Sequence, residues 1–398
     1  MIYVHIPFCR SFCTYCDFYS EIATKCRKSE ASKQDALFGR FADALSCEVR
    51  SRAEEITDEV NTLYIGGGTP SVLPLSAFQT LLDALSSAGH GGCFEEFTVE
   101  VNPEDIVNKG PSYVEGLLEL GVNRVSMGVQ SFDDSVLKFM NRRHDSVMAG
   151  KAYAILEDVG VRNISIDLIF GLPQLSSDMW KETLDKAIGI SSRGVLPQHI
   201  SSYQLSVEPG SMLARLVEKG KWTEASDELC QEQYVALCEA LAAAGYHHYE
   251  ISNFAQPGFE ARHNSAYWCH VPYVGFGPGA HSFRHLPSSE VDSGSVELSS
   301  TRQWNRPDLQ AYLAAGRVGD FSSVQEGENL DSDQLALERI MLGLRTCEGL
   351  PESYLRSHCS PSALSRALAA GHLVSIGPHL RIPESNFFIS DSIISSLV

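Results

Sequence analysis

No apolar run in this 398-residue sequence approaches the roughly 18 residues needed to span a bilayer, so no transmembrane helix is expected. Met1–Ile6 offers neither the basic segment nor the small-residue cleavage pattern of a secretory leader, and the expectation is a cytoplasmic protein. Positive charge is scarce: 31 Lys and Arg stand against 50 Asp and Glu, a formal net charge of −19. That balance repels phosphate backbones, which disfavours a nucleic-acid role. Internal repeats and low-complexity tracts are missing as well. With 43% hydrophobic and 20% charged residues, the chain lies outside the disordered and fibrous classes. A disulfide framework is not expected either, because eleven cysteines are an odd number, unevenly spaced along a long chain. Clustered cysteines in a reducing compartment point to metal or redox chemistry, and the one cluster is near the N-terminus.

What is present is an alternation. Short β-branched runs at Ile2–Ile6, Thr62–Ile65, Phe97–Val101, Arg124–Val129, Ile164–Ile169 and His199–Leu205 read as strands. Helical patterns fall between them near Gln34–Glu55, Leu75–Ala88, Ser112–Leu120, Ser146–Val159 and Asp178–Ile190. Parallel strands need a crossover long enough to hold a helix, so six such units predict an α/β fold, a doubly wound sheet or a barrel, and six units suit an incomplete (β/α)6 barrel open at one side. After Leu205 the rhythm changes, with an amphipathic helix over Glu224–Ala244, a strand-like Tyr246–Ile251 and an aromatic, glycine-rich stretch, Arg262–Phe283. Residues Leu286–Gly294 read as a surface loop. From about Leu330 the pattern is helix, helix, two short strands, helix, suited to a small winged-helix-like domain. The expected division is 1–210, 211–329 and 330–398.

Cys9, Cys13 and Cys16 form C-x3-C-x2-C in the loop after the first strand. Three thiolates this close suit one soft metal centre better than a disulfide plus a free thiol. Structural zinc wants four ligands, and His5, the nearest candidate, lies in the strand itself. Three cysteines can instead hold three irons of a [4Fe–4S] cluster and leave the fourth iron open to a small ligand. Three buried structural cysteines are the plainer alternative.

The segment Tyr3-Val4-His5-Ile6-Pro7-Phe8-Cys9 through Cys16-Asp17-Phe18 resembles the radical S-adenosylmethionine (SAM) superfamily. More narrowly it is similar to the branch that holds oxygen-independent coproporphyrinogen III dehydrogenase and the HemW family of haem chaperones. The resemblance implies that SAM binds the open iron through its amino and carboxylate groups and is cleaved to a 5′-deoxyadenosyl radical on one-electron reduction, which would require an electron donor.

Further motifs sit at the carboxyl ends of successive strands, where a barrel site belongs. Gly66-Gly67-Gly68-Thr69-Pro70 lets backbone approach a ligand closely, although turns use glycines too. Glu100 and Asp167 each interrupt an apolar strand, which is costly without a partner. A ligand with an ammonium, a sulfonium and ribose hydroxyls supplies partners, and a structural ion pair is the alternative. Gln130 ends the fourth strand; Arg142 can pair a ligand carboxylate or simply lie exposed at a helix end. Matched motif by motif, the resemblance assigns Tyr3, the Tyr15 backbone, Gly67, Gly68, Thr69, Glu100, Gln130, Arg142 and Asp167 to SAM, with a looser match at Gln204.

Two features separate the branches. The dehydrogenase pattern places a fourth cysteine two residues after the third, where this sequence has Phe18, and gives an N-terminal extension where only two residues precede Tyr3. Arg262-His263-Asn264-Ser265-Ala266-Tyr267-Trp268 matches the H-N-x-x-Y-W motif of the HemW family. An imidazole beside Tyr and Trp can ligate haem iron, or it can be a packed side chain with ordinary hydrogen bonds. The resemblance makes haem the expected cargo, acceptor haemoproteins the partners and His263 the leading haem contact, with His281 second. Propionate decarboxylation by a dehydrogenase is the rival. His247 and His248 fall on opposite strand faces and cannot share a metal there. The other cysteines, Cys26, Cys47, Cys93, Cys230, Cys238, Cys269, Cys347 and Cys359, have no metal-like spacing, and only Cys269 adjoins the haem-like motif.

Overall fold

In the computed structural model, residues 1–23, 31–56, 61–285 and 300–398 are described. Cys26 and the whole of the expected loop Leu286–Gly294 lie outside them.

Six strands follow the predicted alternation: β1 (Ile2–Ile6), β2 (Thr62–Gly67), β3 (Glu96–Val101), β4 (Arg124–Gln130), β5 (Ile164–Phe170) and β6 (His199–Gln204). Each pairs parallel to the next. Their apolar side chains are buried, and in β5 the polar Ser165 and Asp167 alternate with the apolar Ile164, Ile166 and Leu168. Helices Ala31–Ser51, Leu75–Ser87, Pro111–Glu119, Ser146–Val159 and Ser177–Ile188 cover the outside. Local chemistry sets their ends. Asp145 accepts from the Met148 amide, Ser176 from Met179, and Gly160 closes Ser146–Val159 in a left-handed conformation.

Three further strands extend the sheet. β7 (His247–Glu250) and β8 (Asn253–Ala255) run antiparallel beyond β6, and β9 (Val274–Phe276) runs parallel to β1, giving the order β9-β1-β2-β3-β4-β5-β6-β8-β7. The two edges do not pair with each other among the described residues, so the barrel is open. β9 was not expected: three residues, with Gly275 at their centre, carry no periodicity to read. The region read as aromatic and glycine-rich instead holds the helix Arg262–Trp268, β9 and the strand His281–His285. His247 is exposed while His248 stacks on Phe254 at 4.0 Å, as strand alternation requires.

Beyond Leu330 come helices Ser332–Gly343, Glu352–His358 and Pro361–Ala369, an antiparallel sheet of Leu350–Pro351, His379–Arg381 and Val374–Ile376, and a last helix Ser390–Ser395. That is one helix more than expected, because Pro361 cannot continue the preceding helix and starts its own. One contiguous apolar core runs from Ile2 to Leu397.

A buried ionic knot ties the barrel's first helix to the added elements. The Glu48 carboxylate is fully buried and accepts from Arg52 (2.7 Å), Asn305 Nδ2 (2.7 Å), the Tyr312 hydroxyl (2.6 Å) and the Gly277 amide (2.9 Å). Arg52 also donates to the Gly275 carbonyl at 2.9 Å, which holds β9 beside β1. Removing one member of such a knot strands the other charge. Glu48→Ala is expected to cost about 3–5 kcal/mol in urea unfolding, and Glu48→Gln less, since it keeps an acceptor for Tyr312.

Candidate functional site

The cysteine loop is clamped on every side. Phe8–Cys9 pairs with Glu21–Ile22, and Gly68 and Thr69 donate their amides to Ile6 and Phe8 carbonyls at 2.8 and 2.7 Å. Asn141 Nδ2 donates to the Phe12 carbonyl (2.7 Å), and the Leu213 amide donates to that of Thr14 (2.8 Å). Arg10 pairs at 2.9 Å with Asp105, itself fully buried and held by Ser71.

The three thiols open into a chamber of about 690 Å³ at the carboxyl ends of β1–β6. Among the described residues no three His, Cys, Asp or Glu side chains converge on a single ion. Burial raises the Cys9 thiol and pushes Cys16 up to about 12, so a bound cluster has to displace protons.

Of the expected SAM contacts, Tyr15, Gly67, Gly68, Thr69, Glu100, Gln130, Arg142 and Asp167 line this chamber. Gly67 has φ +103°, and a Cβ there would sit 2.6 Å from the His5 ring; at Gly68 it would meet the Ile6 and Phe8 carbonyls at 2.8 Å. Both positions need glycine. Glu100 accepts from the Tyr64 hydroxyl (2.7 Å) and the Gly67 amide (3.2 Å), and burial raises its carboxyl to about 7. Asp167, also raised by burial, accepts from Ser126 Oγ at 3.0 Å. Gln130 holds φ +68°, a left-handed conformation rare outside glycine and concentrated at functional sites. Arg142 donates to Asn102 Oδ1 and the Gly128 carbonyl, each at 2.6 Å, and to Cys13 Sγ at 3.4 Å. Asn102 donates in turn to Thr69, whose hydroxyl lies 3.4 Å from Cys9 Sγ.

Two expected contacts lie elsewhere. Tyr3 is absent from the chamber lining. Its hydroxyl donates to His5 Nδ1 (3.0 Å), because His5 Nε2 donates to the Tyr19 carbonyl (2.8 Å) and burial holds that imidazole neutral, its pKa lowered to about 4. Tyr3 therefore braces the ring that backs Gly67. His263 sits at the amino ends of the strands, 1% exposed. Thr62 Oγ1 lies 2.9 Å from Nδ1 and the Tyr267 hydroxyl 3.1 Å from Nε2. Both ring nitrogens are engaged by side chains, and burial lowers its pKa to about 3. From the same motif it is Asn264 that lines the chamber. His281 is exposed and stacks on Trp304, 5.8 Å between ring centres.

Several residues of the site escaped sequence reading. Arg124 is 1% exposed yet lines the chamber, and its Nε has no partner among the described residues. Asp167 leads through Ser165 (3.5 Å) to His199 (2.7 Å) and on to the Tyr249 hydroxyl (2.7 Å). For Ser165 the signal was the one that marked Glu100, a polar side chain inside an apolar strand; Arg124, which opens its strand, gave none.

The radical SAM superfamily model matches residues 3–187. The chain is 33% identical to the heme chaperone HemW of Escherichia coli K12, over 99% of this chain and 96% of that protein. It is 35% identical to the heme chaperone HemW of Lactococcus lactis, over 87% and 82%. Among solved structures, coproporphyrinogen III oxidase from Escherichia coli superposes with a TM-score of 0.76 at 20% identity, covering 99% of this chain and 89% of that one, a likeness of fold. The sequence identity settles the branch that the fold leaves open: this chain belongs to the HemW heme chaperone family within the radical SAM superfamily.

Proposed function

We propose that the chain binds a [4Fe–4S] cluster, SAM and haem, and hands haem to acceptor haemoproteins. The carrying observation is the chamber, which sets three free thiols on one wall against buried acids and glycine backbone on the other. Cys9, Cys13 and Cys16 would ligate the cluster, whose chemistry is one-electron transfer to bound SAM from an external donor. Everything else is done by the chain. Gly67 and Gly68 admit the ligand to backbone contact, Glu100 and Asp167 face its cationic and hydroxyl groups, and Arg142 meets its carboxylate. Tyr15 closes the wall beside the cluster loop. Among the described residues no helix is long and apolar enough to cross a membrane, and all ten described cysteines are free. A reducing cytoplasm is the setting in which such a thiol set stays ready for iron. The division 1–210, 211–329 and 330–398 is then one of labour: cluster and SAM in the first segment, the barrel's lower closure in the second, a separate surface in the third.

Anaerobic haem titration of the cluster-loaded protein, followed by mixing with an apo-haemoprotein, tests this reading. Saturable binding and transfer are expected, with no decarboxylation of coproporphyrinogen III in the presence of SAM and a strong reductant. Turnover of the porphyrinogen, or absence of saturable haem binding, would overturn it. His263→Ala is expected to lose roughly 1–3 kcal/mol of stability by leaving Thr62 and Tyr267 unpaired in the interior, and to leave haem affinity of the folded protein unchanged.

SAM binding carries a pH signature. A carboxyl raised to about 7 is neutral below that pH and anionic above it. Affinity for the cationic ligand should therefore increase as pH rises through 7, approaching roughly tenfold per unit on the acid side. Glu100→Gln, which keeps an acceptor for Tyr64, should bind SAM more weakly at pH 8 and flatten the profile in isothermal titration.

A further inference from the structure

Large exposed apolar side chains are normally scattered. Here four of them, Phe12, Phe18, Tyr203 and Met212, all stand on the rim of the chamber, with Phe18 63% and Met212 51% exposed. Two come from the cysteine loop. Met212 opens the helix Met212–Glu218, which is docked on that loop by the Leu213 amide on the Thr14 carbonyl. The rim is therefore fixed relative to the thiols.

Charge at the rim is also distinctive. Arg10 is paired with Asp105, Arg142 with Asn102 and the Gly128 carbonyl, and Arg143 with Glu104 at 3.1 Å. The Arg215 guanidinium, one turn on from Met212, is exposed and has no hydrogen bond or ion pair among the described residues. On a chain of net charge −19, a free cation beside an aromatic and thioether rim is a specific invitation to an anion with a flat apolar body. Asp17 and Glu208 also line the rim, so that anion is admitted only on the Arg215 side.

Resting on the haem-chaperone reading above, we propose that haem lies across this rim, with its macrocycle on Phe12 and Phe18, the Met212 thioether on its iron, and a propionate on Arg215. A thioether is a competent axial ligand for haem iron. The imidazole of His263 is not available for that role, because both its nitrogens are bonded and it lies at the opposite ends of the strands. Placed here, haem covers the mouth of the chamber, so SAM has to enter first and leaves only after haem has gone.

Anaerobic titrations of cluster-loaded wild type, Met212→Leu and Arg215→Gln with ferric haem, and in parallel with iron-free protoporphyrin, test this. Met212→Leu keeps the volume and removes the sulfur. It should weaken haem binding by roughly tenfold, the effect of about 1.4 kcal/mol, abolish the sulfur-to-iron charge-transfer band and leave protoporphyrin affinity unchanged. Arg215→Gln should weaken both porphyrins several-fold and reduce the salt dependence of binding. Haem loading should slow the release of labelled SAM in wild type. If wild type binds haem saturably while Met212→Leu shows the same spectrum and affinity, the site assignment falls and the chaperone reading stands. If wild type itself does not bind haem, the chaperone reading falls with it.

Discussion

Everything in this structure depends on holding one short loop still. Three thiols are presented from eight residues, Cys9 to Cys16, of which only Cys9 belongs to a strand, the short pairing with Glu21–Ile22. Backbone bonds from Gly68 and Thr69, the side chains of Asn141 and Arg10, and the amide of Leu213 supply what a helix or strand would otherwise supply. Each clamp reaches from a different element, so the loop's geometry is a property of the assembled barrel and not of the loop sequence. Asp105 illustrates the cost. A carboxylate fully removed from water is tolerable only because Arg10 and Ser71 both satisfy it, and it thereby fastens the loop to the far side of β3.

The barrel is closed at one end and open at the other, and different segments do each job. At the amino ends of the strands the helix Arg262–Trp268 presents its free amides to Glu96, which accepts from Arg262 at 2.8 Å and His263 at 3.0 Å. A carboxylate is the favoured partner for the N-terminus of a helix. His263 then locks onto Thr62, and the floor is sealed with Asn264 turned inward. Of the H-N-x-x-Y-W motif, His263 is buried against Thr62 and Tyr267 while Asn264 lines the chamber. The carboxyl ends stay open because they carry the thiols and the acids.

Much of this was legible. Six strands and five helices stood out because long parallel units leave strong periodicity, and Glu100 and Asp167 stood out because a carboxylate in an apolar strand has no cheap explanation. Tyr15, the glycines and Arg142 followed from spacing and resemblance. What could not be read depends on distance across the fold. Arg124 opens β4 and looks like an ordinary strand-start arginine until its side chain is seen inside the chamber. β9 is three residues long, and the Glu48 knot joins positions 257 and 264 residues apart in sequence. His263 was ambiguous for a chemical reason: an imidazole beside Tyr and Trp is equally a ligand and a saturated core residue, and its closeness to Thr62 and Tyr267 is not written in the sequence.

The electrostatics of the chamber follow from the same constraint. Burial raises both Glu100, to about 7, and Asp167. Arg124 lies near enough to pull both downward, but makes no bond to either among the described residues. A countercharge held at a distance, unlike a direct ion pair, leaves the carboxylate oxygens open to a ligand. A chain of hydrogen bonds, Arg142–Asn102–Thr69–Cys9, joins the chamber wall to the cysteine loop, and the guanidinium that also touches Cys13 positions the amide that holds Thr69.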